Sequence, residues 1–406
     1  MRTLRTTSER GVALVVALFS MVVIGALVAG AFFVGRVEQV TGYNTVWAAQ
    51  AGEAAEAGVG AVIATVEVAQ LDPMPIYSEA NPVELTLPPG TITGMPSLTY
   101  NTSIRRLNLE LFMVRSTGQR ASPGGQVMAS QSLAQLIRIA RPTFSVNSAV
   151  TVQSPINFNG HAFGVTGMNG MPTGWTADEC DGGPLDSNED DVVGIRSATT
   201  VGGTEKELEN VEGYPANTVN YDPTITSETF KDFMDYTYNT LAGQPGVKIL
   251  PGTSPYTGVA PVVDATASPA VCDKTVLLNL GEPYRNPPEA GAVTECNGYF
   301  PTVHGTGSST KFAAGTRGQG ILLIDGDLEM VGGFEWSGII LVKAQMKITG
   351  TGNKFHGAIL TEGVDVTSSG SIGGNAEITF SRCAIAKAVQ GASSPVPLAR
   401  GWTQLY

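Results

Sequence analysis

Residues 320–333 read GILLIDGDLEMVGG, residues 338–352 read GIILVKAQMKITGTG and residues 357–370 read GAILTEGVDVTSSG. The glycines that open them, Gly320, Gly338 and Gly357, stand 18 and 19 residues apart, and six positions after each comes a small residue: Gly326, Ala344 or Gly363. An Ile-rich run precedes each small residue, a second β-prone run comes after it, and Gly then returns. A period near 20 residues with two short strands per repeat is the mark of a solenoid. One coil cannot bury its apolar face alone, so stacked coils share a continuous column. The pattern predicts a right-handed parallel β-helix. Ile321, Leu323, Ile339, Leu341, Ile359 and Ile378 are the core candidates, and the two-residue alternation leaves the choice of face open. Residues 375–389, NAEITFSRCAIAKAV, read as a degenerate fourth copy. An antiparallel sandwich with Gly-rich turns is the competing architecture.

On the N-terminal side of the repeats, residues 145–170 alternate short β-prone runs with Asn and Gly, which extends the solenoid to 143–390 around a polar insertion at 171–300. The insertion holds one helix signal. Ser227 is an N-cap, Glu228 falls in the first turn, Phe230, Phe233, Met234, Thr237 and Leu241 make a face, and Gly243 is a stop. Residues 73–142 open with Pro73, Pro75, Pro82, Pro88, Pro89 and Pro96, then read as a strand at 104–117 and a turn at Pro123-Gly124-Gly125. Residues 127–140 fit a partner strand or a helix. A small antiparallel sheet is expected here, and residues 391–406 are left as a C-terminal tail. The chain is thus α+β, mostly β. Its 406 residues include 49 Gly and only 15% charged residues, against about 25% in ordinary soluble domains. That balance suits turn-rich β-structure with a polar, uncharged surface. A net charge of −12 argues against nucleic acid, whose binding rests on clustered Lys and Arg.

The N-terminus sets the compartment. Residues 1–11, MRTLRTTSERG, carry Arg2, Arg5 and Arg10 against Glu9. Residues 12–34, VALVVALFSMVVIGALVAGAFFV, carry no charge. As a helix they span roughly 34 Å, enough to cross a ~30 Å hydrocarbon core and longer than a cleavable secretory segment. The basic flank keeps the N-terminus cytoplasmic and sends the chain beyond Gly35 to the far side of the membrane. A signal peptide cut near Ala29–Ala31 is the alternative. No Pro precedes Pro73, and TVWAAQAGEAAEAGVGAVIATVEVAQL (45–71) is rich in Ala, with Val59, Val62, Ile63 and Val66 on one face. The helix is therefore expected to run on past the membrane, through 12–72. Gly42, Gly52, Gly58 and Gly60 mark a possible bend, and a short surface helix after an anchor is the plainer reading.

A basic leader ending in Gly, a hydrophobic helix and then Ala-Glu-Ala-Gly resemble the type IV pilin and pseudopilin class. The RGVALVVAL start and the AAQAGEAAEAG stretch resemble PilX N-terminal-domain proteins of type IV pilus assembly. The resemblance implies cleavage after Gly11 by prepilin peptidase, a new and methylated N-terminus at Val12, and transfer of the helix from the bacterial inner membrane into a fibre. There it would pack on other pilin subunits through positions such as Val16, Ala49, Ala54 and Glu56, with a pilus assembly platform as a further partner. Two positions depart from the pattern: Val12 stands where Phe or Met is usual, and Val16 where the pilins carry Glu. Glu is costly in lipid, roughly 2.5–3.5 kcal/mol at the centre. It is worth keeping where it meets the terminal amine of a neighbour above, so its absence fits a tip or initiating minor subunit. Further on, NLGEP (279–283), YFP (299–301) and GQGILL (318–323) between and after two Cys resemble the C-terminal region of large PilX-type proteins.

Cys180, Cys272, Cys296 and Cys383 all lie in the exported part. An even count in an oxidising compartment implies two disulfides, with three pairings open. Cys272 and Cys296 flank one Pro- and Gly-rich excursion and are the favoured pair, which leaves Cys180 for Cys383; free thiols are the alternative. Zinc is disfavoured, since there is no CxxC pair and His161, His304 and His356 are far apart. In residues 178–191, DECDGGPLDSNEDD, the spaced oxygens of Asp186, Asn188 and Asp190 are calcium candidates beside the ordinary reading of a solvated acidic loop. Asp325 and Asp327 sit two apart, as an acid–base pair could, but IDGD is also ordinary turn chemistry. No nucleophile–base pair, phosphate loop or dinucleotide fingerprint is present. The sequence therefore reads as no enzyme and without a cofactor. It reads as a minor pilin-like structural subunit, first in the inner membrane with its N-terminus cytoplasmic and then at the cell surface, displaying a head whose surface or polysaccharide ligand is unspecified. The rival reading is a membrane-anchored, exported β-helix protein that binds or cleaves polysaccharide.

Overall fold

The computed structural model describes residues 10–144, 146–159, 163–180, 190–202, 205–214, 219–252, 255–285, 290–363, 371–373 and 375–405. The chain divides into two compact units. One comprises Met1–Val66, Pro73–Arg138 and Pro395–Tyr406, the other Glu67–Asp72 and Ile139–Ser394.

The first unit is built on α1 (Arg10–Thr65), a helix of 56 residues. The Gly residues inside it do not break it, because each is a single Gly set among helix-compatible residues, many of them Ala, and no Pro intervenes. Three long antiparallel strands lie beside it: β1 (Met95–Arg106), β2 (Leu111–Ala121) and β3 (Val127–Ala140). Their register runs from Leu98↔Arg120 to Arg106↔Phe112, and from Leu111↔Arg138 to Ala121↔Val127. Residues 127–140 are thus a strand. Two short strands, Leu85–Thr86 and Gly90–Ile92, pair with β1. The C-terminal strand Ser394–Leu405 adds to β3, so most of residues 391–406 is sheet. Ala51, Ala54, Ala55, Val59 and Val62 are fully buried, and α1 packs on β2 and β1.

The second unit is a parallel stack. Its strands are β4 (Ser148–Val152), β5 (Val193–Ser197), β6 (Val219–Tyr221), β7 (Lys248–Leu250), β8 (Thr302–Gly305), β9 (Arg317–Ile324), β10 (Glu335–Thr349), β11 (Thr351–Gly363) and β12 (Asn375–Phe380). The ladder order is β7-β8-β9-β10-β11-β4-β5-β6, every pairing parallel. The chain therefore begins in the middle of the stack, leaves at one end after β6, restarts at the other end with β7 and returns to meet its own first strand. The meeting strand, β11, carries two partners end to end: β12 against its first half and β4 against Ile359–Thr361. A second parallel ladder runs alongside through Ser309–Phe312, Asp327–Val331, the last residues of β10, Ser371–Gly373, Ile156–Asn159 and Val201–Gly202.

The register explains the sequence repeat. Gly320, Gly338 and Gly357 are direct partners in adjacent strands. All three have positive φ, and a Cβ on Gly338 or Gly357 would lie 2.1 or 1.8 Å from the carbonyl oxygen of the preceding glycine. Only Gly fits this column. Two residues along, Val303, Leu322, Ile340, Ile359, Val150 and Ile195 succeed one another as register partners and fill the core. Burying each such side chain stabilises by about 1.5–3 kcal/mol. The six core candidates fall on both faces. Ile359 belongs to this inner column and Ile378, the register partner of Phe355, to the same inner core, whereas Ile321, Leu323, Ile339 and Leu341 point the other way and are also fully buried. Helix α3 (Arg382–Ala392) packs on β9, β10 and β11 and accounts for that burial. The stretch read as a fourth copy therefore splits into β12 and α3, with Ser381 as N-cap accepting from the Ala384 amide.

The helix expected from Ser227 does not form as one piece. Ser227–Phe230 is a 3₁₀ turn, Asp232–Phe233 and Tyr236–Thr237 pair antiparallel, and only α2 (Tyr238–Ala242) is helical. Met234 takes φ 61° at the turn between the two strands, and Thr237 caps a new helix start by accepting from the Thr240 amide. Phe230, Phe233 and Leu241 are nevertheless buried, so the apolar face was legible while its period was not. The insertion is fastened by charge. Glu282, fully buried, accepts from Arg317 Nε at 3.0 Å and Nη2 at 2.8 Å, and from the Tyr284 and Val293 amides.

Two outcomes are expected. Ile340→Ala opens a hole in the inner column and should lower unfolding free energy by about 2–5 kcal/mol, read from urea denaturation. Asp222, which accepts from Thr224 and from Arg196 on β5, has its carboxyl held down from 3.8 to about 2 by those hydrogen bonds. A depressed carboxyl stabilises above its unfolded pKa and loses that contribution as pH falls through the folded one. Asp222→Asn should thus lower the melting temperature at pH 7, and the gap to wild type should close between about pH 4 and pH 2.

Candidate assembly helix and a polar cleft

Every residue from Val12 to Val46 on α1 is exposed. That is 35 residues, about 52 Å of helix. The segment is long and apolar enough to cross a membrane, and none of its most apolar window is buried. The first charges after Val12 are Arg36 and Glu38. Phe19, Phe32, Phe33 and Met21 are each at least 70% exposed. Surface of this kind is stable only in an apolar host, at about 25 cal/mol per Å² removed from water. Tyr43 and Trp47 stack at 5.8 Å just beyond the apolar run, where aromatic side chains suit a membrane–water boundary.

The sequence-predicted positions fall unequally on this helix. Gly11 lies in its first turn, and residues 1–9 of the leader lie outside the described residues. Val12 and Val16 are exposed on the apolar run, and Ala49 and Glu56 are exposed further along. Ala54 is different, being fully buried against the helix's own sheet. Its place is set by close approach. A Cβ on Gly118 of β2 would lie 2.1 Å from the Ala51 carbonyl oxygen and 2.3 Å from the Ala55 amide nitrogen. A Cβ on Gly58 would lie 2.3 Å from Ser116 Oγ. Helix and strand thus touch backbone to backbone, and Ala51, Ala54, Ala55 and Gly58 serve packing within the unit.

The other candidate groups lie in the second unit. Cys180 is bonded to Cys383 and Cys272 to Cys296, closing 203 and 24 residues of chain. In the chain-entropy account such closures stabilise by about 3–5 kcal/mol. Asp186 and Asn188 lie outside the described residues. Asp190 is paired with Arg382, and Asp191 accepts from the Asn169 amide at 2.7 Å. Among the described residues no group of three His, Cys, Asp or Glu side chains is placed to hold a metal ion.

Asp325 and Asp327 go separate ways. Asp327 accepts from the Gln345 amide at 3.1 Å, a bond between adjacent strands. Asp325, at the corner after β9, accepts from or shares a proton with His304 Nε2 at 2.9 Å and pairs with Lys343 Nζ at 3.2 Å. Burial pushes its carboxyl up, but His304 and Lys343 together hold it below the usual range. Lys343 also sits 3.5 Å over the Tyr238 ring. Tyr238, Asn239, His304, Asp325 and Lys343 line one open cleft of about 520 Å³. Lys343 and Tyr238 were not found by sequence reasoning. Lys343 could have been, for it stands 18 residues after Asp325, one repeat on. His356 is half-buried, with Nδ1 unpartnered, and burial lowers its pKa. His161 lies outside the described residues.

Gly118→Leu should disrupt helix–sheet packing in the first unit. The expected reading is a melting transition at least 5 °C lower in detergent, with the α-helical circular dichroism of residues 12–46 retained; an unchanged transition would show that the close contact is not needed.

No family model and no curated protein matches the chain. Among solved structures, the crystal structure of competence-associated pilin ComZ from Thermus thermophilus aligns over 88% of this chain and 98% of that one, at 13% identity and a TM-score of 0.25. A superposition that loose carries no argument about fold or function.

Proposed function

We propose that the chain is a minor pilin-like structural subunit of a type IV pilus or a related filament. The observation that supports it most is the exposed apolar run of α1, continuous with a helical segment packed on its own antiparallel sheet. A helix of this design has two stable surroundings, lipid and the core of a helical bundle. In this reading the precursor spans the bacterial inner membrane once, N-terminus inside, as the basic leader favours. Prepilin peptidase cuts after Gly11 and the new terminus, Val12, is methylated. An assembly platform then moves the helix from lipid into contact with other pilin subunits, which exchanges one apolar host for another. Val12, Val16, Ala49 and Glu56 are the exposed positions for that contact; Ala54 is withdrawn from the set because it is buried within its own unit.

The parallel stack is read as a right-handed β-helix, supported by two ladders that share strands at an 18- to 19-residue register. It is the displayed head, with a structural rather than catalytic role, and we assign it no cofactor. The apolar residue at Val16 favours a tip or initiating position. The rival reading, a membrane-anchored head that binds or cleaves polysaccharide without a fibre, draws on the cleft at Asp325.

Cleavage and transfer are testable together. Mature protein from cells with active peptidase should begin at Val12 on N-terminal sequencing and appear in sheared surface fibres. Gly11→Leu should leave the chain eleven residues longer and confined to the membrane fraction. An uncut chain in such cells, or a start near Ala31, would refute the assignment.

A further inference from the structure

The cleft beside α2 is assembled from three successive layers of the second unit and that helix. His304 comes from β8, Asp325 from the corner after β9, Lys343 from β10, and Tyr238 with Asn239 from α2. The Asp325 amide donates to the Gly305 carbonyl at 3.0 Å, which fixes the carboxylate at the edge of the ladder. Tyr238 is 2% exposed, and its buried hydroxyl lies beside the Asp325 carboxylate, to which it donates. Burial first, and then the carboxylates of Asp325 and Glu362, push its phenol well above the ordinary value, so it stays a neutral donor.

The unspent hydrogen-bonding capacity defines the ligand. Lys343 uses one N–H on Asp325 and presents its charge to the Tyr238 ring, which leaves a further donor. His304 engages Asp325 through Nε2, which leaves Nδ1. Asn239 is exposed and offers an amide, both donor and acceptor. Asp325 retains acceptor lone pairs. Donors and acceptors thus both line the cleft. The Asp325 and Lys343 charges cancel, so the cleft selects neither an anion nor a cation. Carbon makes up the larger share of its lining, with Ala242 and Gly243 beside the charged groups, a mixture that suits the C–H faces and hydroxyl edges of a sugar ring. It is open to solvent rather than closed over, as an extended polymer requires.

We propose that this cleft binds a neutral, hydroxyl-rich saccharide unit of a glycan chain, with Asp325 accepting from vicinal hydroxyls and Lys343, Asn239 and His304 donating to sugar oxygens. This does not depend on how α1 is used, and holds for a fibre subunit or a membrane-anchored protein alike.

The test is titration calorimetry of the full chain in detergent with cellohexaose, maltohexaose and chitohexaose, and with hexagalacturonate as the acidic counterpart. At least one neutral hexasaccharide should bind. Asn239→Ala, at an exposed position, and Asp325→Asn should each weaken binding about tenfold, the loss of one good hydrogen bond, with the melting temperature of Asn239→Ala unchanged. Absence of binding by all three neutral oligosaccharides, binding of hexagalacturonate alone, or affinity unmoved by Asn239→Ala would each overturn the proposal. Should Asp325→Asn fail to fold, Asn239→Ala and His304→Gln carry the same test.

Discussion

Residues 12–34, about 34 Å of helix, present apolar side chains on all sides and have nowhere to hide them within their own chain, and the design of the first unit answers to that fact. A soluble protein buries such a helix in its core. Here the burial begins only at Ala51, where the small residues start and the antiparallel sheet takes over. The helix is thus divided by function without being divided in structure. Its first part is shaped for a host outside the unit. Its second part is locked to the unit by a contact so close that Gly118 and Gly58 admit no side chain.

The second unit answers a different problem, that of stability without an outer shell of helices. Parallel strands are buried on both faces in most proteins. In this stack the inner column of Val, Leu and Ile meets one face, and α3 covers part of the other. The disulfides, the Glu282–Arg317 pair and the Arg285–Glu179 pair, with Arg285 over Trp175 at 4.4 Å, fasten the long connections to the stack. Polar groups are collected at the corners, where Asp325, His304 and Lys343 meet from successive layers.

Much of this was legible in the chain. The repeat at Gly320, Gly338 and Gly357 marked adjacent strands in register, because only Gly can stand in that column. The uncharged run after Gly11 marked the exposed helix. Other features were hidden for identifiable reasons. Alternation could not tell the inner face from the face under α3, since both are buried and both are apolar. Residues 227–241 looked helical because their aromatic spacing fits a helix, whereas Thr237 and Met234 impose a cap and a reversal. Ala54 looked free for a partner because a small residue signals close approach without saying to what. The cleft joins Tyr238 to Lys343 across a hundred residues, a distance that only the stacking of layers removes.

The order of the layers carries a consequence for biosynthesis. β4 waits for β11, which lies about 200 residues further along the chain. At typical synthesis rates of about 5–20 residues per second, the open edge of residues 148–152 stays unsatisfied for roughly 10–40 s. Such an edge is a template for wrong pairing with another nascent molecule. Correct closure of the stack therefore depends on residues 148–152 staying out of other pairings until residues 359–361 have been made.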